Sequence, residues 1–139
     1  MAKALLLLFT ALVIGAGVQT KTINRSELSL LSKSKPNDVL YSTEGIASYY
    51  ANAFDGRTTS NGEVFDMEGL TAAHQSFPFN TIARVTDLMS GRSVKVRIND
   101  RGPYWENRII DLSRGAADEI RILDRGIALV KIDVIKWGG

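Results

Sequence analysis

The chain has 139 residues, 45% of them hydrophobic and 23% charged, the balance of a globular domain with a packed core. Lys and Arg number 17 against 15 Asp and Glu, a formal net charge of +2, too even for a protein whose main partner is nucleic acid. Cysteine is absent, which excludes disulfides, thiolate metal ligands, a cysteine nucleophile and a lipid-bearing cysteine. His74 is the one histidine and no calcium-loop spacing of acids occurs, so no metal or other cofactor is expected.

Lys3 precedes an apolar run, Ala4 to Val18, that closes on the small residues Gly15-Ala16-Gly17. Such a run is short for a membrane span and suits the core of a signal peptide, either cleaved or retained as an anchor. Residues 1–18 are therefore set apart as a signal segment, and the rest is expected outside the cytoplasmic membrane, periplasmic or extracellular. Residues 19–44 are polar and rich in Ser and Lys, and read as a linker.

From 45 to 137 the texture changes to short strands and tight turns. Ile46 to Tyr50 reads as a first strand, and the dipeptides Asp55-Gly56 and Asn61-Gly62 make Phe54 to Glu63 a structured loop. Leu70 to Ala73 is a second short strand with His74 at its end. Thr81 to Leu88 and Ser93 to Ile98, joined by Met89-Ser90-Gly91-Arg92, form a hairpin in which Val94, Val96 and Ile98 alternate with Lys95 and Arg97. Arg108 to Ile110 is a fifth strand. A helix through Ala116, Ala117 and Ile120 begins near Asp111 or Ser113, either of which can cap it, and Ile127 to Ile135 is the last strand. Six short strands with one or two short helices make a mainly β domain. Alternation alone is compatible with a small barrel or a sandwich.

Glycoside cleavage needs a carboxylic acid to protonate the leaving oxygen and a second group facing the developing cation. Glu63, Asp66, Asp100 and Asp111 supply carboxyls, and Tyr49, Tyr50, Tyr104 and Trp105 supply faces for sugar rings. Each also has a plainer role. Asp100 can brace the turn Asn-Asp-Arg-Gly-Pro, Asp111 can cap the helix or pair with an arginine, and His74 can be a structural hydrogen-bonding group.

Five blocks in order are Gly45-x-Ala-Ser-Tyr-Tyr, Gly56-Arg-Thr-Thr-Ser-Asn-Gly-Glu-Val-Phe-Asp, Leu70-Thr-Ala-Ala-His, Val96-Arg-Ile-Asn-Asp-Arg-Gly-Pro and Arg108-Ile-Ile-Asp-Leu-Ser-Arg. Together they closely resemble the rare lipoprotein A (RlpA) family, from about Glu44 to Ile135. The resemblance implies a six-stranded double-psi β-barrel and a lytic transglycosylase of the bacterial envelope. Such an enzyme cleaves the β-1,4 bond between N-acetylmuramic acid and N-acetylglucosamine without water; the muramic acid's own 6-hydroxyl attacks and leaves a 1,6-anhydro end. It further implies Asp100 as the catalytic acid and base, with Glu63 as its helper. Asp66, His74, Arg101, Tyr50 and Trp105 are the implied substrate-binding groups of the same groove, and Asp111 is left as structural. Peptidoglycan strands are the expected partner of a monomer that is exported and, lacking cysteine, not lipid-anchored. Asn80 and Asn107 stand where the family commonly has glycine, and asparagine tolerates the left-handed backbone. The alternative is a non-catalytic glycan-binding or wall-loosening module, as in expansins, which share the barrel.

Overall fold

Apolar side chains at every second position give each long strand one face that must leave water, and closing the sheet on itself buries all of those faces at once. The computed structural model describes residues 22, 24–26, 39–105 and 107–139. The expected signal segment and most of the expected linker lie outside the described residues. The strands are β1 (Tyr41–Tyr49), β2 (Thr71–Ala73), β3 (Ile82–Asp87), β4 (Ser93–Asp100), β5 (Arg108–Leu112) and β6 (Ala128–Lys136), with one helix, α1 (Arg114–Glu119). They close into a barrel in the order β1-β5-β2-β4-β3-β6. β1 with β5 and β2 with β4 run parallel; the other neighbours are antiparallel. This is the double-psi β-barrel, and it settles the barrel-or-sandwich question.

Val94, Val96 and Ile98 of β4 and Val130, Ile132 and Val134 of β6 face the core, while Lys95 and Arg97 face away. Each such buried side chain contributes about 1.5–3 kcal/mol, so the apolar stripe outweighs local strand propensity. Ala116 and Ala117 of α1, with Ile120 and Ile122 beyond it, join the same core.

One boundary differs from expectation by more than two residues, and one open choice is decided. β1 begins at Tyr41, so the last four residues of the expected 19–44 linker are strand, paired from Tyr41↔Val134 to Glu44↔Lys131. The helix is capped by Ser113, whose hydroxyl accepts the Ala116 amide at 3.2 Å; Asp111 lies inside β5 and caps nothing. Asn80 and Asn107 do adopt positive φ, 69° and 66°. Gly115 at the start of α1 allows the chain before β2 to lie against the helix, because a Cβ there would collide with the Glu68 carbonyl.

At the other end of β3, Asp87 is fully buried and organises the turn into β4. Its carboxylate accepts the Ser90 hydroxyl at 2.7 Å and takes an ion pair from Arg125 at 2.6 Å. Burial pushes this carboxyl up, yet Arg125, the Ser90 hydroxyl and the Met89 amide outweigh it and hold it below its ordinary value. Arg125→Ala would strand a buried charge, so the variant is expected to lose about 3 kcal/mol at pH 7. A depressed carboxyl stabilises above its unfolded pKa and loses that contribution as pH falls through the folded one. The gap in Tm between wild type and Arg125→Ala should therefore narrow in acid. Equal melting at pH 7 would show the pair to be dispensable.

Candidate active site

Three segments converge on one open cavity of about 520 Å³: the end of β1 with its loop as far as Thr58, the end of β4 running into Arg101–Trp105, and β5 through Arg108 and Asp111. The parallel register of β1 on β5 sets Ser48 opposite Asp111. The end of β4 brings Asp100 to the same cavity.

The two aspartates differ in what surrounds them. Asp100 Oδ2 accepts the Tyr50 hydroxyl at 2.5 Å, and Oδ1 accepts the Ser60 hydroxyl at 2.5 Å, the Ser60 amide at 2.9 Å and the Arg101 amide at 2.9 Å. Burial pushes the carboxyl up, but these donors stabilise the charged form and hold it below its ordinary value. Asp111 accepts one side-chain hydrogen bond, from the Ser48 hydroxyl at 3.2 Å. Burial, reinforced by the Asp100 charge, pushes Asp111 up to about 6 against the pull of Ser48 and Arg108. Tyr50 is held as a donor: burial and its bond to Asp100 push the phenol well above its ordinary value. Its ring packs against Phe65 at 4.6 Å and Phe54 at 5.8 Å.

The groups expected in one groove divide. Tyr50, Asp100, Arg101 and Trp105 line this cavity, with Tyr104 and Trp105 at 82% and 73% exposure on its lip. Glu63 and Asp66 line a second cavity of about 340 Å³, with Thr71, Arg97 and Asn99. There Arg97 grips Glu63 with both arms, at 2.6 and 2.8 Å, and Asn61 and Asn99 donate to it at 2.9 and 3.2 Å. The Arg97 bonds lower Glu63 to about 2, so it has no proton to give near neutral pH. Asp66 accepts the Glu68 amide at 3.0 Å.

His74 lines neither cavity. Its Nδ1 accepts the Ser76 and Phe77 amides at 3.1 and 3.0 Å, and its ring stacks on Phe77 at 3.5 Å. Burial first, then the Arg101 charge, lowers it to about 4, so the imidazole is neutral and serves as the core of a turn. Arg101 reaches the cavity wall, but its guanidinium donates to the Phe77 and His74 carbonyls at 2.9 and 3.3 Å and lies 3.8 Å over the Phe79 ring.

Asp111 is the residue that sequence reasoning set aside. One signal pointed to it: an acid within Ile109-Ile110-Asp111-Leu112, where Ile110 and Leu112 face the core and the strand leaves Asp111 on the other face.

Residues 42–132 match the lytic transglycolase family. The chain belongs to that family. Its relatives include proteins named endolytic peptidoglycan transglycosylase RlpA from Campylobacter jejuni and Haemophilus influenzae. The first is 52% identical over 95 residues, covering 68% of this chain and 34% of the relative. The second is 50% identical over 95 residues, covering 68% and 33%. The chain thus spans about a third of the length of these relatives. Among solved structures, a Streptomyces papain inhibitor aligns with TM-score 0.58 at 20% identity, covering 71% of this chain and 98% of that one. An expansin from Clavibacter michiganensis aligns with TM-score 0.57 at 20% identity, covering 71% and 52%. These two likenesses concern the fold.

In this lytic transglycolase domain, Tyr50→Phe keeps the ring packing and removes one donor from Asp100. The Asp100 pKa is expected to rise, read by carbon-detected NMR titration of the carboxyls. An unchanged value would mean that Ser60 and Arg101 suffice to hold the charge.

Proposed function

We propose that this domain is a peptidoglycan lytic transglycosylase in which Asp111 is the general acid and base and Asp100 is the carboxylate facing the developing cation. The observation that carries the reading is the pair itself: two carboxyls in one cavity, with surroundings that push their pKa values apart. The names of the relatives, and their identity of about half over the whole barrel, support the substrate class. The acid role expected of Asp100 passes to Asp111 because Asp100 is stabilised as an anion by four hydrogen bonds.

Protonated Asp111 donates its proton to the glycosidic oxygen, and the bond from that oxygen to C1 of the muramic residue breaks with its electron pair leaving on oxygen. Positive charge shared by C1 and the ring oxygen is stabilised by ionised Asp100. The 6-hydroxyl of the same residue then attacks C1, closes the 1,6-anhydro ring and returns its proton to Asp111. Each group ends as it began, with no water consumed. Tyr50, Tyr104 and Trp105 provide faces for the sugar rings. Glu63 is a positioning residue in this reading: with Arg97 it braces the loop whose Ser60 donates to Asp100. Export, suggested by the apolar run Ala4 to Val18, would deliver the domain to its substrate. One chain supplies both carboxyls, so a monomer suffices.

Digestion of purified glycan strands followed by mass analysis of the ends tests the proposal. Anhydro ends are expected. Reducing ends would instead mark a hydrolase, and intact strands that remain bound would mark a wall-loosening module. Because Asp111 must carry the proton, kcat/KM should fall as pH rises through about 6, with a second limb in acid where Asp100 protonates. Asp111→Asn should lower the rate by about 10³-fold, and a wild-type rate would exclude Asp111 as the acid.

The same variant carries a stability signature. A carboxyl whose folded pKa is raised loses stability as pH rises from its unfolded to its folded value, here from 3.8 to about 6. Relief of that cost should therefore raise the Tm of Asp111→Asn at pH 7, by up to about 3 kcal/mol of stability. Glu63→Gln should slow cleavage while leaving both pH limbs in place; displacement of the neutral limb would instead make Glu63 part of the proton-transfer machinery.

A further inference from the structure

Three arginines line the cavity that holds the two aspartates: Arg57, Arg101 and Arg108. Arg101 is committed to backbone carbonyls and to the Phe79 ring. The other two are not so held, although the Arg108 charge is felt by Asp111. Among the described residues, neither the Arg57 nor the Arg108 guanidinium has a hydrogen-bond or ion-pair partner. Each instead lies against an aromatic ring of the same cavity, Arg57 5.3 Å from the centre of Phe54 and Arg108 5.9 Å from that of Trp105. A guanidinium laid on a ring keeps its planar fork of donors free and loses less freedom on gripping a second planar group.

The cavity also says where an anion can sit. Asp100 is ionised and repels one, while Asp111, which feels the Arg108 charge, is held nearer its neutral form, so negative charge on a ligand is disfavoured beside Asp100 and favoured beside the two arginines. A neutral sugar stacking on Phe54, Trp105 or Tyr104 gains little from two unpartnered guanidinium groups; a carboxylate gains two charge-assisted forks. We infer that Arg57 and Arg108 bind carboxylates carried on the glycan, so that the cavity selects an acidic strand over a neutral β-1,4 glycan. This rests on the glycan reading above. In peptidoglycan the carboxylate has two sources, the lactyl ether of a muramic residue without peptide and the acidic residues of a stem peptide, and both present the same group.

The experiment measures binding by calorimetry on the full chain carrying Asp111→Asn, which slows cleavage, with strand length checked by mass analysis after each titration. The ligands are peptide-free peptidoglycan strands, peptide-bearing strands and chitohexaose, and the added variants are Arg57→Gln, Arg108→Gln, both together, and the two Lys counterparts. Each Gln variant should weaken acidic-strand binding about fivefold and leave chitohexaose unchanged, with the Lys variants recovering part of the loss. Raising salt from about 0.05 M to about 0.5 M should weaken acidic strands alone. A loss confined to peptide-free strands assigns the lactyl carboxylate, and one confined to peptide-bearing strands assigns the stem.

Equal binding by the variants, at matched Tm, overturns the inference, as does chitohexaose binding as tightly as the acidic strands. Cleavage of strands by the wild type is scored separately. Cleavage without charge selection sinks this inference alone, whereas charge-selective binding without cleavage sinks the transglycosylase reading alone.

Discussion

An unequal supply of hydrogen-bond donors to two carboxylates sets the electrostatics of the main cavity. Asp100 and Asp111 line one cavity and both are penalised by burial. Asp100 receives two hydroxyls and two amides, while Asp111 receives one hydroxyl. In the first case the donors outweigh desolvation, and in the second desolvation wins. The charge retained on Asp100 then adds to the cost of ionising Asp111, so the two states reinforce each other. Local structure serves this imbalance. Tyr50 is seated on Phe65, Ser60 is carried on a loop tied to β4, and the parallel register of β1 on β5 hands Asp111 only Ser48.

The remaining polar groups order the chain between the strands. The stretch from Ala51 to Leu70 contains one short 3-10 turn and one isolated bridge, Thr58 to Val64, so ladder hydrogen bonds contribute little to its shape. Side chains take over that task. Glu63 collects Arg97, Asn61 and Asn99; Asp55 accepts the Met67 amide at 3.0 Å; and Asp66 accepts the Glu68 amide. His74 does likewise for the turn after β2. Polar residues that look catalytic in a sequence can be the scaffold of an irregular segment, where every buried amide still needs a partner.

Sequence reading succeeded where the physics is local and periodic. Short runs between turn residues located all six strands, with alternation marking β4 and β6; the Met89–Arg92 turn was visible in its composition, and Asn80 and Asn107 marked left-handed backbone. It failed where the outcome depends on a partner far along the chain. Glu63 looked free to share a proton until Arg97 closed on it from 34 positions away. Asp111 was read as a cap because a helix begins nearby. Its register partner and one side-chain donor, Ser48 of β1, however, stands 63 positions away. Asp100 does line the cavity, but its protonation state depends on Tyr50 and Ser60, which only the fold brings near.

The order of strands around the barrel constrains when this molecule can exist at all. β1 is flanked by β5 and β6, the last two strands made, so the first strand has no neighbour until nearly the whole domain is available. Contacts this distant in sequence form slowly, because loops must close before any ladder bond rewards them. A chain synthesised or threaded from its N-terminus must therefore hold Tyr41–Tyr49 unpaired until β5 has emerged, and the cavity, walled by β1, the end of β4 and β5, cannot form before then. The barrel itself closes only when β6 joins β3 to β1.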